Sequence, residues 1–337
     1  MQLNAALDMH LHLRDGEMLE NIAKCSARTF SGAIIMPNLV PPVSTKEEVV
    51  AYKNRIIAAI GEETFTPYMT LFFKPSYDKT FLESIKDEIT AIKLYPAGIT
   101  TNSEGGVSGF DVEELRPALE AMSELNIPLC VHGETNGFVM DREAEFASIY
   151  ERLATAFPKL TIIMEHITTK TSVELLDRYK NLYATITIHH LLITLDDVAG
   201  GMLKPHLFCK PIAKRPEDRD ALLKVALEAH PKVMFGSDSA PHPKHAKEAC
   251  GCAAGVFTSP IALQLLAELF DTNGASVENL QAFVSDNAQK IYDIDVPKKV
   301  VTLEKKPFKV PSDYNGVVPM YADEEIAYSI KDVKLAN

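Results

Sequence analysis

The segment Asp8-Met9-His10-Leu11-His12 lies near the start of the chain, inside an apolar run over residues 3–13. This run predicts a short β-strand, in which side chains two residues apart point to the same face. His10 and His12 should therefore project together from one face of the strand. Two neutral imidazoles held on a rigid strand form half of a divalent-metal site. Because such a pair also arises by chance, the rest of the chain has to support this interpretation.

The rest of the chain alternates short β-prone runs with amphipathic helical stretches. The pattern predicts eight strands, at residues 3–13, 32–38, 65–73, 90–95, 128–133, 160–167, 182–190 and 232–238. It predicts helices at residues 45–60, 111–125, 140–157, 170–180 and 216–230. Thr45 and Glu48 resemble a capping box at the start of the first of these helices. This alternation is typical of parallel βαβ units, so we expect an α/β fold, a (β/α)8 TIM barrel, with a doubly wound open sheet as the alternative.

Length and composition fit this barrel. The chain has 337 residues, of which 46% are hydrophobic and 24% are charged, as in globular proteins with a large core. We expect the barrel to occupy residues 1–295. Residues 296–337 contain Lys- and Pro-rich and β-prone pieces, which predict a C-terminal extension packed on the barrel.

Charge and cysteine content exclude several classes of function. The net charge of −12 argues against nucleic-acid or anionic-membrane partners, which would favour a basic patch. No apolar run approaches the length of a membrane span, and no signal peptide is evident. The five cysteines have irregular spacing and suggest no disulfide framework, so we expect a cytoplasmic protein with a small-molecule substrate.

Further candidate ligands fall late in the predicted strands, at the end of a barrel where active sites form. His132, His166 and Asp238 end three apolar runs. Either histidine alone is more often a core residue, whereas a carboxylate after an apolar strand is costly to bury unless it is paired or binds a metal. Lys93 interrupts a strand that should be buried on both faces, so its amine must find a carboxylate or lose its charge.

One chemical arrangement satisfies all of these residues. A neutral lysine can react with carbon dioxide to form a carbamate, an anionic group able to bridge two divalent metal ions. With four histidines and Asp238 it would complete a two-metal hydrolytic centre at the C-terminal face of the barrel. The loop at residues 97–109, which follows the Lys93 strand and contains four glycines, is either a lid over this centre or a solvated connector.

On these residues and the motifs around them, the chain resembles the dihydroorotases of the amidohydrolase superfamily over most of residues 1–290. The motifs that carry the resemblance are residues 8–16 (DMHLHLRDG), 36–38 (MPN), 93–103 (KLYPAGITTNS), 131–134 (VHGE), 165–167 (EHI), 204–209 (KPHLFC) and 236–242 (GSDSAPH). Because the first motif leaves no room for a preceding β-sandwich domain, the chain resembles the short, stand-alone class (type II), which is typically a homodimer in bacteria.

The resemblance implies a ligand set and a substrate site. One Zn²⁺ would be held by His10, His12, Lys93 as N6-carboxylysine, and Asp238. The second Zn²⁺ would be held by carbamylated Lys93, His132 and His166, and Asp238 would also be the catalytic proton carrier. The implied contacts to the substrate are Arg14, Asn38 and His242 for a carboxylate, Thr100 and Thr101 on the lid, and backbone groups near Lys210, Ala240 and Ala253 for the ring edge.

The implied activity is the reversible cyclisation of N-carbamoyl-L-aspartate to L-dihydroorotate in pyrimidine biosynthesis. Another cyclic amidase, of the dihydropyrimidinase or hydantoinase kind, is an alternative, although Arg14 and Asn38 argue for a substrate with an additional carboxylate. A catalytically inactive structural homologue, or a phosphoesterase or deaminase on the same barrel, is a further alternative. The inactive homologues typically lose metal ligands, and the mononuclear deaminases lack the bridging lysine.

Two positions depart from the pattern of the family that the chain resembles. Lys210 stands where that family often has an apolar residue, a change that a backbone contact to substrate would survive. Residues 187–190 read Thr-Ile-His-His instead of the more usual Thr-Pro-Gln-His. We assign no metal to the additional His189.

Overall fold

The structure is a computed structural model that describes residues 1–335. Its strands are β1 (Gln2–Asn4), β2 (Leu7–Leu11), β3 (Gly32–Ile35), β4 (Thr66–Phe72), β5 (Ala91–Leu94), β6 (Leu129–Val131), β7 (Ile162–Met164), β8 (Leu182–Ile186), β9 (Val233–Phe235), β10 (Lys299–Glu304), β11 (Phe308–Lys309), β12 (Glu325–Ile326) and β13 (Ser329–Leu335).

The helices lie mainly between the strands of the barrel. They are α1 (Gly16–Ala27), α2 (Lys46–Ile60), α3 (Lys79–Ile85), α4 (Val112–Glu124), α5 (Arg142–Ala156), α6 (Lys170–Arg178), α7 (Ile188–Leu192), α8 (Leu195–Ala199), α9 (Pro216–Leu227), α10 (Lys244–Lys247), α11 (Ala262–Thr272), α12 (Val277–Gln281) and α13 (Asn287–Tyr292). A 3₁₀ turn at Pro205–Leu207 and a π-helical turn at Ala282–Asp286 complete the set.

Strands β2 to β9 form one parallel sheet in sequence order. Its first and last strands meet at their carboxyl ends, where Leu11 and Ser239 form a parallel bridge. In the same place the amide of Asp238 donates a hydrogen bond to the carbonyl of His10 at 2.8 Å. The α/β fold with an eight-stranded, nearly closed parallel barrel is therefore confirmed.

Helix α2 illustrates how local sequence fixes the helices around this barrel. The Thr45 hydroxyl accepts a hydrogen bond from the Glu48 amide at 3.3 Å, and the Glu48 carboxylate accepts one from the Thr45 amide at 3.0 Å. This is the predicted capping box, and it satisfies two amides that the helix itself leaves unpaired. Val49, Tyr52 and Ile56 then recur at helical spacing and are buried in the core. None of the helices within residues 1–335 combines the length and the apolar character needed to cross a membrane.

Two predicted strands differ from those observed. The run at residues 3–13 forms two strands, because Ala5 has a left-handed backbone (φ 49°) between β1 and β2. The run at residues 182–190 leaves the strand after Ile186, where the Thr187 hydroxyl accepts a hydrogen bond from the His190 amide and caps α7. Short apolar runs have no periodicity that separates a strand from a buried helix, so the sequence could not place this boundary.

Several predicted ligands lie just past the strand ends and not within the strands. Strands β6, β7 and β9 stop before His132, His166 and Asp238. Two of these residues have left-handed backbones, with φ of 41° at His166 and 42° at Asp238, which cannot continue a β-strand. His10 and Lys93, by contrast, lie inside β2 and β5.

The start and end of the described chain form a separate antiparallel sheet of β1, β10 and β13. Along β10 buried and half-buried residues alternate, and Val301 and Leu303 are the inward-facing apolar pair. The Lys299 ammonium donates hydrogen bonds to the carbonyls of Ala27 and Phe30, beside the end of α1. The last two residues of the predicted extension at 296–337 lie outside the described residues, and the domain boundary at residue 295 stays a prediction.

We expect Leu303→Ala to destabilise the protein by about 2–5 kcal/mol, because it removes a fully buried side chain and leaves a cavity. Val300→Ala, on the half-buried face of the same strand, is the matched control and should cost about 1 kcal/mol or less. Urea denaturation measures both. Equal losses in the two variants would show that β10 does not pack on the core as described.

Candidate active site

A first group of donor atoms comes from the ends of β2 and β9. The Nε2 atoms of His10 and His12 lie 3.3 Å apart, and Asp238 Oδ1 lies 3.5 Å from the first and 3.1 Å from the second. The glycine at position 236 permits this approach, because a Cβ there would lie 2.9 Å from the His10 Cβ. All three residues are buried. Their spacing is that of side chains that share one divalent ion.

A second group comes from the residues after β6 and β7. His132 Nδ1 lies 3.2 Å from His166 Nε2, and the His166 ring centroid is 4.8 Å from that of His10. The two groups are therefore neighbours within one site. Burial lowers the pKa of His10 and His166, the latter well below its usual range, which keeps both imidazoles neutral and able to act as ligands.

Two buried carboxylates orient these imidazoles. Glu165 Oε2 lies 2.7 Å from His10 Nδ1, and Glu134 Oε2 lies 2.7 Å from His132 Nε2. A ring nitrogen that donates its proton to a carboxylate leaves the opposite nitrogen of the same ring facing the centre of the site as a potential ligand. The hydroxyl of Thr185 also donates to Glu165 at 2.6 Å. Neither carboxylate is among the predicted site residues, although both lie in the motifs that contain His132 and His166.

The carboxylate of Asp8, on the first strand of the barrel, bonds to the residues that follow the last strand, beside the first donor group. It accepts hydrogen bonds from the Ser237 amide at 2.7 Å, the Ser237 hydroxyl at 2.6 Å and the His10 amide at 3.2 Å. Burial raises the pKa of Asp8 to about 7. Its place two residues before His10 on one strand is the signal that would have included it in the predicted site.

Lys93 provides the test of whether the site fits metal ions bridged by a carbamate. The side chain is 0% exposed, and its Nζ has no hydrogen-bond partner among the described residues. Burial lowers the pKa of the Lys93 amine, which favours the neutral, nucleophilic form that reacts with carbon dioxide. Inward-facing imidazole lone pairs, a carboxylate and an unpartnered amine are together compatible with the predicted ligand set.

A small cavity opens above these groups, with about 350 Å³ of empty space including its mouth to solvent. It is lined by His10, His12, Arg14, Asn38, Tyr95, Thr100, Thr101, His132, His166, Lys210, Asp238, Ala240, Ala254 and Gly255. A larger groove, of about 1270 Å³, lies at the amino ends of the strands beside α1 and β13. Neither candidate metal-binding group found among residues 1–335 lies in that groove, so the smaller cavity is the candidate active site.

Most of the predicted substrate contacts line this cavity, but two do not. His242 lies behind Arg14, with its Nε2 3.0 Å from the Arg14 Nη2. The carbonyl of Ala253 accepts a hydrogen bond from Lys247 at 2.7 Å, and the next two residues of the chain line the cavity in its place. Tyr95 also lines the cavity and is not among the predicted residues.

A separate buried group contains His189, His190 and Cys209, whose potential ligand atoms lie within 4.8 Å of one another. His190 is already hydrogen bonded, with Nδ1 2.9 Å from the Thr187 hydroxyl and Nε2 3.0 Å from the Pro211 carbonyl. The Cys209 thiol donates to the same carbonyl at 3.2 Å. Two of the three residues thus have structural hydrogen bonds, and the absence of a metal at His189 stays a prediction.

The buried His190 generates a prediction for stability in acid. Burial lowers its pKa from 6.5 to about 4, so on acidification the unfolded chain takes up a proton before the folded chain does. Stability from this group is therefore lost as the pH falls from about 6.5 to about 4. Between about pH 7 and about pH 5 we expect the metal-free wild type to lose about 2 kcal/mol more than His190→Gln, as measured by urea denaturation.

The exposed His245 supplies the control for this experiment, because His245→Gln should lose as much stability as the wild type over the same interval. If His190→Gln and the wild type lose equal stability, His190 is not held in its neutral form by burial.

Comparison with known proteins gives consistent matches over nearly the whole chain. The amidohydrolase family model matches residues 8–294. A dihydroorotase from Helicobacter hepaticus is 45% identical over 338 aligned positions, which cover 98% of this chain and 98% of that protein.

Two solved structures have the same fold over nearly their full length. A crystal structure of a dihydroorotase from Campylobacter jejuni has 62% identity and a TM-score of 0.95, and the match covers 98% of this chain and 97% of that chain. A dihydroorotase from Saccharomyces cerevisiae, solved with 5-fluoroorotic acid, has 33% identity and a TM-score of 0.92, with 100% and 99% covered.

Proposed function

This chain belongs to the amidohydrolase family and, within it, to the dihydroorotases, and from that premise we propose the reaction that its site performs. The reaction is the reversible cyclisation of N-carbamoyl-L-aspartate to L-dihydroorotate. In ring closure the ureido nitrogen loses a proton and bonds to the carbon of the side-chain carboxylate, and a carboxylate oxygen leaves as water with that proton and a second one from solvent. The site residues, the two Zn²⁺ ions and the lysine carbamate are parts of the proposal.

The observation that carries the proposal is the buried, unpartnered amine of Lys93 among inward-facing imidazoles. An uncompensated polar group of this kind is costly, and carbamylation converts it into an anionic ligand for two cations. His10, His12 and Asp238 would hold one ion with the carbamate, and His132 and His166 would hold the other. When bound, the two ions would supply an activated water and polarise the carbonyl under attack.

The chain's own residues supply proton transfer. Asp238 is the carboxylate nearest the open cavity, and we propose that its oxygen accepts the proton of the attacking water and passes it to the ring nitrogen that leaves. The hydrogen bond from its own backbone amide to the His10 carbonyl, at 2.8 Å, holds it at the required place. In ring closure the same carboxylate takes the proton from the ureido nitrogen.

Arg14 gives the site its preference for a charged substrate. Its guanidinium lines the cavity and is oriented by two contacts, a hydrogen bond from Nε to the Pro241 carbonyl at 3.2 Å and the approach of Nη2 to His242. We propose that Arg14 and Asn38 bind the carboxylate that dihydroorotate has and uncharged cyclic amides lack. His242 then acts by positioning Arg14, and the backbone near Ala240, Lys210 and Ala253 borders the ring. We also propose that the protein forms a homodimer.

The direct test is hydrolysis of L-dihydroorotate by zinc-loaded protein, followed by the loss of ultraviolet absorbance, with dihydrouracil and hydantoin in parallel. We expect selective hydrolysis of dihydroorotate, and a loss of that selectivity in Arg14→Met because the carboxylate then lacks its cation. Consumption of only the uncharged rings would favour a dihydropyrimidinase-like or hydantoinase-like enzyme. No hydrolysis by protein with two bound metals per chain would favour an inactive homologue.

We expect Lys93→Ala to lose both metal and activity, because it removes the amine that would carry the bridging carbamate. Metal content measured by mass spectrometry should fall below two ions per chain, and turnover should fall by about a hundredfold or more. Lys86→Ala, at an exposed lysine just before the same strand, is the control and should match the wild type. Two metals per chain with normal turnover in Lys93→Ala would rule out the carbamate bridge.

A further inference from the structure

The loop at residues 97–109, here called the lid loop, is folded on itself. Its ends are joined by a parallel bridge between Pro96 and Val107 and by a hydrogen bond from the Ala97 amide to the Val107 carbonyl at 2.9 Å. Inside it, the Ser103 hydroxyl accepts from the Thr100 amide at 3.0 Å and donates to the Thr100 carbonyl at 2.8 Å. The loop therefore satisfies many of its own polar groups and is a compact unit.

Three side-chain hydrogen bonds join the lid loop to the rest of the described chain. Two involve Asn38, which donates to the Thr101 carbonyl at 3.0 Å and accepts from the Asn102 side chain at 3.0 Å. The third crosses the cavity mouth from the other side, where the Lys210 ammonium donates to the Ile99 carbonyl at 3.1 Å. The loop is thus held from two sides of the barrel.

The contact from Lys210 has a rigid base. The neighbouring Lys247 ammonium is buried and donates three hydrogen bonds, to the carbonyls of Phe208 at 3.0 Å, Ala253 at 2.7 Å and Gly255 at 2.7 Å. The bond to Phe208, together with the hydrogen bond from the Gly255 amide to the Phe208 carbonyl at 2.9 Å, holds the segment from which Lys210 projects. Lys210 itself is half-buried and lines the cavity.

Packing holds the base of the lid loop, where Ile99 and Val107 are buried. A groove open to solvent borders the loop on its far side and is lined among others by Ile99, Phe110 and Ile149. The hydrogen bonds at the tip of the loop act in addition to the packing at its base. A charged donor such as the Lys210 ammonium makes a stronger hydrogen bond to a carbonyl than a neutral donor does. An apolar side chain at position 210 could make no such bond.

We propose that Lys210 is a positioning residue that holds the lid loop closed over the cavity before substrate binds. Its ammonium acts on the Ile99 carbonyl and touches none of the reacting atoms. Closing the lid in advance spares the substrate part of the cost of ordering it, so substrate binds more tightly. The gain in substrate affinity rests on the proposed function, whereas the closed state of the loop does not.

Hydrogen–deuterium exchange of zinc-loaded protein without substrate tests the closed state directly. In Lys210→Met we expect the peptide that covers residues 97–109 to exchange about tenfold faster than in the wild type, because one charge-assisted hydrogen bond is lost. Lys210→Arg should restore slow exchange. The exposed Lys204 provides the matched control, and Lys204→Met should exchange like the wild type. Peptides from β5 report whether the barrel itself remains intact.

Steady-state kinetics with L-dihydroorotate separate positioning from a merely structural role. We expect the KM of Lys210→Met to rise about tenfold and kcat to fall by a smaller factor, with rescue by Lys210→Arg. Unchanged exchange of the lid-loop peptide in Lys210→Met overturns the proposal, and so does faster exchange with an unchanged KM. If the wild type hydrolyses no dihydroorotate, the proposed function fails while the exchange experiment still decides whether Lys210 closes the loop.

Discussion

The barrel is built around one constraint. Neutral imidazoles and a carboxylate face one another across about 3 Å in a buried site. Lone pairs at that separation repel one another unless a proton or a cation lies between them. Burial favours the neutral form of His10 and His166, so each ring has one N–H and one lone pair, and the N–H of His10 points to Glu165. The lone pair of His10 therefore faces the site and is available to a cation. The same burial lowers the pKa of the Lys93 amine, which favours the neutral form that can be carbamylated.

Strained backbone conformations and buried polar groups at the strand ends hold the site in this arrangement. His166 and Asp238 turn into the site through left-handed backbones, which cost about 1–3 kcal/mol each for such residues. Glu165 and Asp8 then fix the rings and the strand ends by hydrogen bonds. The lid loop and Arg14 complete the upper wall of the cavity, where a substrate carboxylate would bind.

Much of this arrangement could be predicted from the sequence, because its signals are local. The spacing of His10 and His12 predicted that both side chains lie on one face of one strand. The alternation of strands and helices predicted the parallel barrel. A lysine inside a buried strand was informative because burying an unpaired ammonium is so costly. These signals need no knowledge of how distant parts of the chain meet.

Features that depend on tertiary contact could not be predicted in the same way. The local sequence does not show that β1 and β2 are separate strands or that β8 ends at Ile186. Apolar runs of that length are compatible both with a strand and with a buried helix. Glu134 and Glu165 become recognisable as orienting groups only once His132 and His10 face them. The contact of Lys210 with Ile99 joins residues 111 positions apart, and no pattern in the sequence reports it.

Anomalous diffraction at the zinc edge, from crystals of zinc-loaded protein, shows whether the site binds two metal ions. We expect two peaks per chain, one beside His10, His12 and Asp238 and one beside His132 and His166, with density for a carbamate on Lys93 between them. A single peak, or two peaks with an unmodified Lys93 amine, would rule out the two-metal carbamate centre.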